Sequence, residues 1–367
     1  MSTTATKRML AAYVSAAEGA APMRFLSGLF ASPPENFYQA EEVEIDIQRG
    51  REDVSIVVSD LSTGYRLNDD SVYTNKGFKA PIHKEASALN SFDLMKRVAG
   101  NNPFQQPDFR ANVITQVFRK MAIVEAKIRR AVELQASQVL TLGVVTLTDT
   151  AGVPLYSLNF APKAAHFPTA ATAWNAPGAT PVADLISLAN VIRGNGLMDP
   201  NQIIMGESSF EAFIQNADVQ KRFDQRRIDL GTIAPMEMRG GGGAYRGVVD
   251  LGNYRFDVWT YGGRYAHPVG GVSTPFVPND KVIMRAAGGR MDATFGAIPN
   301  IGRELGVSGA SLIPELPGRF ANAEGGMDLH TNAWLTADGE QFFVGVGARP
   351  LLIPTAIDTF GCLDTGI

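Results

Sequence analysis

One long amphipathic segment, from Pro107 to Leu140, constrains the fold more than any other feature of the sequence. Apolar residues recur along it at spacings of three and four, and they are Val113, Val117, Met121, Val124, Ile128 and Val132. This spacing predicts a helix of roughly eight turns, about 45 Å long, with one apolar stripe. A helix of that length spans a whole small domain, so other elements must pack along it.

The chain before this helix divides into three stretches that differ in composition and in predicted secondary structure. Residues 1 to about 40 are rich in Ala, Ser and Pro, which is typical of an arm that needs a neighbour to order it. The run "EEVEIDIQ" then alternates apolar and acidic residues, which predicts a half-buried strand, and a second extended run is expected over Asp53–Asp60. The polar stretch from Leu61 to Ser87 is too long for an ordinary connection, and it indicates either disorder or a functional protrusion.

The chain after the helix predicts alternating strands and helices. The run "VVTLTDTAGVPLYSLNF" is typical of a β-hairpin, and the Ala, Pro, Thr and Gly rich stretch that follows it marks a domain boundary. A helix is expected to open at Pro181 and to end at Asn195–Gly196, before a short buried strand, "NQIIMG". Ser208 and Glu211 have the spacing of a capping box for the next helix. This order is α/β in character.

The remainder of the chain is predicted to be rich in strands. A basic helix, "DVQKRFDQRR", is expected to place four cations within two turns, namely Lys221, Arg222, Arg226 and Arg227. A hairpin that turns at Gly252–Asn253 follows, then the strand "DKVIMRAA" and two closing strands broken at Pro350.

Size and charge narrow the class of protein. At 367 residues the chain exceeds the size of one core, so two or more cores are expected. Its formal charge of -4 lacks the basic excess of a general nucleic-acid binder. The single cysteine, Cys362, excludes an internal disulfide and favours a buried, inert thiol in a reducing cytosol. No signal peptide or membrane-length apolar run is found, so a soluble protein is expected.

None of the candidate metal-binding or catalytic motifs in the sequence has the residue spacing that its chemistry requires. The four histidines are far apart in sequence and lack metal-ligand spacing. "GESSF" lacks the second glycine of a nucleophile elbow. His83, Lys84 and Glu85 are adjacent in an extended segment, where neighbouring side chains point to alternating faces and cannot converge on one substrate atom. No cofactor or metal is therefore expected, and Tyr73–Ser87 is interpreted as a docking arm.

The order of these parts resembles the major capsid proteins of tailed bacteriophages, with the fold named after phage Hong Kong 97, and in particular the lambda-type capsid protein E family. The segments that carry the resemblance are "VYTNKGFKAPIHKEASALNSFDLMKR", "FEAFIQNADVQKRFDQRR", "FVPNDKVIM" and "GEQFFVGVGARPLLIPTAIDTF". The resemblance covers nearly the full chain in order.

The resemblance implies an α+β, Hong Kong 97-like capsid fold. The expected parts are an N-terminal arm (1–43), an extended β-hairpin loop (44–88), a peripheral domain with the long spine helix and a β-hairpin (89–178), an axial domain (179–305) and returning strands that complete both domains (306–367). An axial loop, Gly240, Gly241, Gly242 and Gly243, would lie near the centre of pentamers and hexamers.

The resemblance also implies contacts and partners. The residues expected at contacts between subunits are Lys76, Lys79, His83, Lys84, Arg222, Arg226 and Arg227. Lys76 and Lys79 match the region of a cross-linking lysine in the Hong Kong 97 branch, but the lambda branch does not cross-link, so no such bond is predicted. The expected partners are further copies of the chain, a separate scaffolding protein, a portal, a decoration protein at threefold positions and packaged double-stranded DNA bound without sequence specificity, with no membrane.

The leading hypothesis is therefore a non-enzymatic shell subunit that assembles in the host cytoplasm and resides in the virion. Two alternatives stay open at this point. An encapsulin-like compartment shares the fold but encloses an enzyme cargo. A cytosolic α/β hydrolase would need a convergent nucleophile, base and oxyanion site.

Overall fold

The computed structural model describes residues 24–33, 36–38, 42–48, 73–90, 109–149, 151–224, 227–229, 232–234, 242–298, 329–335 and 341–367. Its helices are α1 (Phe109–Leu142), α2 (Pro181–Gly196), α3 (Glu207–Gln215) and α4 (Ala217–Arg222). Short 3-10 turns lie at Ser27–Leu29, Ala164–His166 and Ile357–Thr359.

Strands make up much of the remainder. In the first part of the chain they are β1 (Phe37–Tyr38), β2 (Glu42–Gln48), β3 (Tyr73–Lys79), β4 (His83–Asn90), β5 (Val144–Thr148), β6 (Pro154–Asn159), β7 (Gln202–Met205), β8 (Phe223–Asp224), β9 (Arg227–Asp229) and β10 (Thr232–Ala234). Those that follow are β11 (Gly243–Asp250), β12 (Arg255–Tyr261), β13 (Arg264–Ala266), β14 (Ser273–Pro275), β15 (Lys281–Arg285), β16 (Asp292–Gly296), β17 (His330–Leu335), β18 (Gln341–Ala348), β19 (Pro350–Ile353) and β20 (Phe360–Asp364).

The predicted long helix is confirmed as α1, which runs for 34 residues, or about 51 Å. Its predicted apolar stripe is buried from Val117 to Val132, while the side chain of Val113 lies outside the described residues. Val124 and Ile128 pack against Val346 and Ala348 of β18. The helix therefore covers one face of the three-stranded sheet β17-β18-β4.

A six-stranded mixed sheet forms the second layer, in the order β20-β15-β7-β12-β11-β8. Helix α2 buries Leu185, Leu188 and Ile192 against it, and α3 adds Phe213 to the same core. The predicted opening of α2 at Pro181 and its end at Gly196 are confirmed. Strand β7 followed by α3 confirms the predicted α/β character of this part.

The capping box predicted at Ser208 is wrong. Helix α3 begins at Glu207, and Gly206 occupies the capping position without a side-chain hydrogen bond. A Cβ at Gly206 would lie 2.2 Å from the carbonyl oxygen of Pro278, so only glycine fits this close approach. Tertiary packing, rather than a local side-chain cap, fixes where this helix begins.

The basic helix predicted for residues 218–227 is also wrong in its extent. Helix α4 ends at Arg222, and Phe223 and Asp224 pair with Val249 and Val248 as the edge strand of the six-stranded sheet. Arg227 lies in β9, and Arg226 falls outside the described residues. Lys221 and Arg222 therefore lie on α4 and Arg227 lies on a strand, because pairing with β11 ends the helix before Phe223.

The predicted hairpins are confirmed. β5 pairs with β6, and β11 pairs with β12 across a turn in which Gly252 has a φ of 87°. Strands β18 and β19 meet at Pro350, as the closing strands were expected to do. Cys362 is buried in β20, as predicted, and burial raises the pKa of its thiol to about 12. The extended run expected over 53–60 lies outside the described residues.

Candidate functional site

A two-stranded ribbon of β2 and β3 is the element that most resembles a docking device. The two strands pair in antiparallel register from Glu42 opposite Lys79 to Gln48 opposite Tyr73. Within the described part of the chain this ribbon forms a sheet of its own. Two strands alone are marginally stable in water, so the ribbon gains most from a surface to lie on.

The base of the ribbon is fixed in the subunit. Phe78 is buried, and its ring lies 5.6 Å from the ring of Phe160 just after β6. The Tyr156 hydroxyl donates a 2.8 Å hydrogen bond to the carbonyl of Lys79. Burial, with a smaller contribution from Tyr38, raises the pKa of Tyr156 to about 12 and keeps this donor protonated. The direction in which the ribbon leaves the subunit is thus set by packing.

Strand β4 continues from the ribbon into the subunit core. It pairs with β18 along its whole length, from His83 opposite Ala348 to Asn90 opposite Gln341. Lys127 of α1 forms a 2.6 Å ion pair with Glu85, and Lys120 donates to the carbonyl of Ala88. The segment predicted as one docking arm therefore divides into a ribbon that ends at Lys79 and a strand integrated into the sheet.

His83, Lys84 and Glu85 alternate, as the sequence predicted. The ring of His83 lies 3.2 Å from the Gln135 amide of α1, Glu85 reaches Lys127 of the same helix, and Lys84 is exposed. Burial lowers the pKa of His83, while Glu85 raises it to a smaller extent. His83 thus has a partner within its own chain, and its role and that of Lys84 at a contact between subunits stay predictions.

Residues 24–33, which belong to the predicted N-terminal arm, are held against α1 by one carboxylate. Glu133 is fully buried, and its two oxygens accept the backbone N–H groups of Leu26 at 2.7 Å and of Ser27 at 2.9 Å. Phe25, Leu26 and Phe30 are buried in the main core. Residues 24–33 therefore pack within their own subunit, whereas the sequence suggested that the arm needs a neighbour.

The end of the glycine-rich loop meets this arm. Gly242, with a φ of 90°, is exposed, and Gly243 is buried at the start of β11. A Cβ at Gly243 would lie 2.3 Å from the ring of Phe25, which also packs against Trp259 and Tyr261. Burial and the charge of Glu133 raise the pKa of Tyr261. Gly240 and Gly241 lie outside the described residues.

The other predicted contact residues lie on separate elements. Lys76 is in β3 opposite Ile45, and Lys79 is exposed at the base of the ribbon. Arg222 is exposed at the end of α4, and Arg227 is in β9. Among the described residues no cluster of His, Cys, Asp or Glu could hold a metal ion.

Sequence reasoning missed the clamp that Glu133 forms with the arm. Its partners are 107 and 106 positions away, so no local motif encodes the contact. One signal was available, namely a carboxylate directly beside Val132 of the apolar stripe. An acid at such a position predicts a buried partner.

No helix in the described part of the chain combines the length and apolarity needed to cross a membrane. Residues 6–360 match the sequence family described as phage major capsid protein E. No curated protein matches the chain by sequence.

The solved structures that are similar to the chain include the following three. A putative capsid protein of a prophage of E. coli has 14% identity and a TM-score of 0.63, with 97% of this chain and 98% of that chain covered. A phage-related protein from Bordetella bronchiseptica has 12% identity and a TM-score of 0.45, with 96% of each chain covered. An encapsulin from Synechococcus elongatus has 14% identity and a TM-score of 0.44, with 93% and 87% covered. The first of these likenesses shows the fold.

Proposed function

Because the chain belongs to the family of phage major capsid protein E, we propose that it closes an icosahedral phage head from pentamers and hexamers around double-stranded DNA. Membership of the family makes it a capsid-forming protein with a Hong Kong 97-like fold. The geometry of the shell, the division into domains and the partners are the proposed part. The role is structural rather than catalytic.

The ribbon of β2 and β3 is the observation that carries this proposal. It is fixed at its base by Phe78 and Tyr156, and beyond that base it pairs only with itself in the described part of the chain. Such an element has little core of its own and is stabilised by lying on a second subunit. Many modest contacts of this kind, repeated by symmetry, make a closed shell much stronger than any one interface.

The domain division follows the packing. Helix α1 with β5, β6 and the sheet β17-β18-β4 would form the peripheral domain, and the six-stranded sheet with α2 and α3 would form the axial domain. Strand β20 closes the six-stranded sheet against β15, in keeping with a C-terminal strand that returns to the axial domain. The exposed Gly242 would then lie near the axis of each capsomer.

The partners follow from the same role. A separate scaffolding protein would set the curvature, a portal would occupy one vertex, and a decoration protein would bind at threefold positions. The formal charge of -4 supports DNA that is enclosed without sequence-specific or tight binding. Exposed cations such as Lys79, Lys84 and Arg222 are the candidates for contacts between subunits.

Electron microscopy tests the proposal directly. The protein is expressed alone and together with the neighbouring phage genes, and particles are imaged after purification. Closed angular shells, tubes or capsomer rings are expected. A monodisperse monomer or dimer under both conditions would contradict shell formation. Filled shells that contain protein but no DNA after coexpression with the packaging genes would contradict the DNA-enclosing role and favour a cargo compartment.

A further inference from the structure

A buried chain of polar groups fastens the crossover between β6 and α2. The crossover comprises residues 160–170. His166 lies in its 3-10 turn and is only 1% exposed. Nδ1 of the ring lies 2.7 Å from the carbonyl of Phe360 in β20, and Nε2 lies 3.2 Å from the side-chain nitrogen of Asn195 in α2. One ring thus joins the crossover, the C-terminal strand and a helix.

The hydrogen bonds of Asn195 fix which groups donate and which accept in this series of polar contacts. Its side-chain oxygen accepts a 2.7 Å hydrogen bond from Lys163, and its side-chain nitrogen also donates to the carbonyl of Val191 at 3.1 Å. Rotation of the amide would turn nitrogen toward Lys163 and oxygen toward Val191, and both contacts would be lost. The nitrogen of Asn195 therefore faces His166 as a donor.

The N–H donor of Asn195 selects one tautomer of the His166 ring. The carbonyl of Phe360 requires a proton on Nδ1, and the Asn195 donor requires a lone pair on Nε2, so the neutral ring with hydrogen on Nδ1 satisfies both partners. A second proton, on Nε2, would face the N–H of Asn195 with no acceptor between them. The protonated ring therefore cannot keep both contacts.

The backbone segments around His166 are closely packed, so the ring has little room to move. A Cβ at Gly361 would lie 2.6 Å from the carbonyl oxygen of His166, and one at Gly196 would lie 2.4 Å from the carbonyl oxygen of Asp358. The backbone of the crossover is thus in direct contact with β20, and that of α2 is in direct contact with the turn Ile357–Thr359. The ring cannot shift away from Asn195 without displacing one of these segments.

Two charged groups face the ring among the described residues. Lys163, on the crossover, disfavours a second positive charge, and Asp358, on the turn before β20, favours it. The two groups form an ion pair of 3.1 Å with each other, which reduces the effect of either on the ring. Burial is the largest influence and lowers the pKa of His166, with a smaller opposing effect from its bond to Phe360.

We propose that His166, Asn195 and Lys163 form an acid-sensitive latch, which holds the crossover on α2 and β20 while the ring is neutral and releases it when the ring takes up a proton. The crossover is the chain link between the hairpin β5–β6 and the six-stranded sheet. Release would loosen that link without disrupting either sheet. The latch is a property of the single subunit and does not depend on shell formation.

Hydrogen exchange of the unassembled subunit between pH 7.5 and 5.0 tests the latch, with rates corrected for the intrinsic effect of pH. Amides that tie the crossover to β20 report its opening: that of Ala170 donates to the carbonyl of Asp364, and that of Asp364 donates to the carbonyl of Pro168. Their opening constant should rise by up to tenfold per pH unit below about pH 6.5, where a released histidine takes up a proton. Amides of β11 and β12 serve as an internal control and should stay protected.

Two substitutions sharpen the test. His166→Gln keeps a neutral donor and acceptor, so the opening constant should no longer depend on pH. Asn195→Asp replaces the donor that faces Nε2 with an acceptor, so the acid response should vanish or reverse. Opening that is flat with pH in the unmodified protein, or a full tenfold rise retained in Asn195→Asp, would overturn the proposal.

The tautomer of the His166 ring can also be measured in the unmodified subunit. Nitrogen-15 NMR of the unmodified subunit at pH 7.5 should show hydrogen on Nδ1 and a free lone pair on Nε2 of His166. Hydrogen on Nε2 would overturn the proposed donor and acceptor roles of His166 and Asn195.

Discussion

Oε1 of Glu133 accepts the backbone N–H of Leu26 at 2.7 Å, although 107 positions separate the two residues in the chain. Oε2 accepts the next N–H, that of Ser27, at 2.9 Å. One side chain of α1 thus satisfies two consecutive donors of the arm, and it does so where the chain enters the core. The arm is held by its backbone as well as by its apolar side chains.

Glu133→Gln should weaken this clamp and destabilise the subunit by about 2 kcal/mol. The amide retains one acceptor but turns its NH2 group toward the second N–H, where two donors then face each other without an acceptor. Urea unfolding of the subunit measures the change. Glu211→Gln, at an exposed position of α3, is the matched control and should change stability by less than about 0.5 kcal/mol. Equal effects of the two substitutions would contradict the clamp.

Gly243→Ala should expel Phe25 from its position, because a Cβ at Gly243 would lie 2.3 Å from the ring carbons of Phe25. Overpacking of this kind costs about 1–3 kcal/mol, which thermal unfolding detects. Gly262→Ala is the control, since a Cβ at Gly262 meets nothing within 4 Å. In a Phe25→Ala background the same Gly243→Ala change should cost much less, because the clash is then gone. An undiminished penalty in the double variant would show that the clash with Phe25 is not the cause.

Shortening the ribbon should separate folding from assembly. Ile45 and Lys76 are paired opposite each other, so residues 46–75 can be replaced by Asn-Gly, a two-residue turn suited to a hairpin. The trimmed protein keeps Phe78 in the core and should unfold at nearly the original temperature, yet it should form no closed shells in electron micrographs. Normal shells from this variant would contradict the assignment of the ribbon to contacts between subunits.

His83 should contribute to the pH dependence of stability. Burial lowers the pKa of the ring in the folded subunit below 6.5, and Glu85 opposes this in part. Below about pH 6.5 the unfolded chain therefore binds more protons than the folded one. The stability of the subunit then falls as the pH is lowered, until the folded-state pKa is passed. His83→Gln should reduce the loss between pH 7.5 and 5.5 by up to about 1 kcal/mol. Urea unfolding at the two pH values measures it, and identical losses in both proteins would refute the contribution of His83.

The sequence predicted best those elements whose signal is local and repeated. The stripe from Val117 to Val132 defined α1, and alternation in "EEVEIDIQ" indicated β2. The errors lie where distant contacts decide. Phe223 leaves the helical pattern because β11 offers it a strand partner, and α3 begins at Glu207 because Gly206 lies against Pro278. The clamp at Glu133 depends on residues more than 100 positions away, which no window of sequence contains.

The continuity of β3 and β4 through residues 80–82 has a mechanical consequence. A pull on the tip of the ribbon is transmitted along β3 into β4, whose ladder with β18 extends from His83 to Asn90. A force along a strand loads all the hydrogen bonds of its ladder together, whereas a force across the strand opens them one by one. The ion pair of Glu85 with Lys127 and the bond from Lys120 to Ala88 add resistance by tying the same strand to α1. Tension between neighbouring subunits would therefore be carried by α1 as well as by the ribbon.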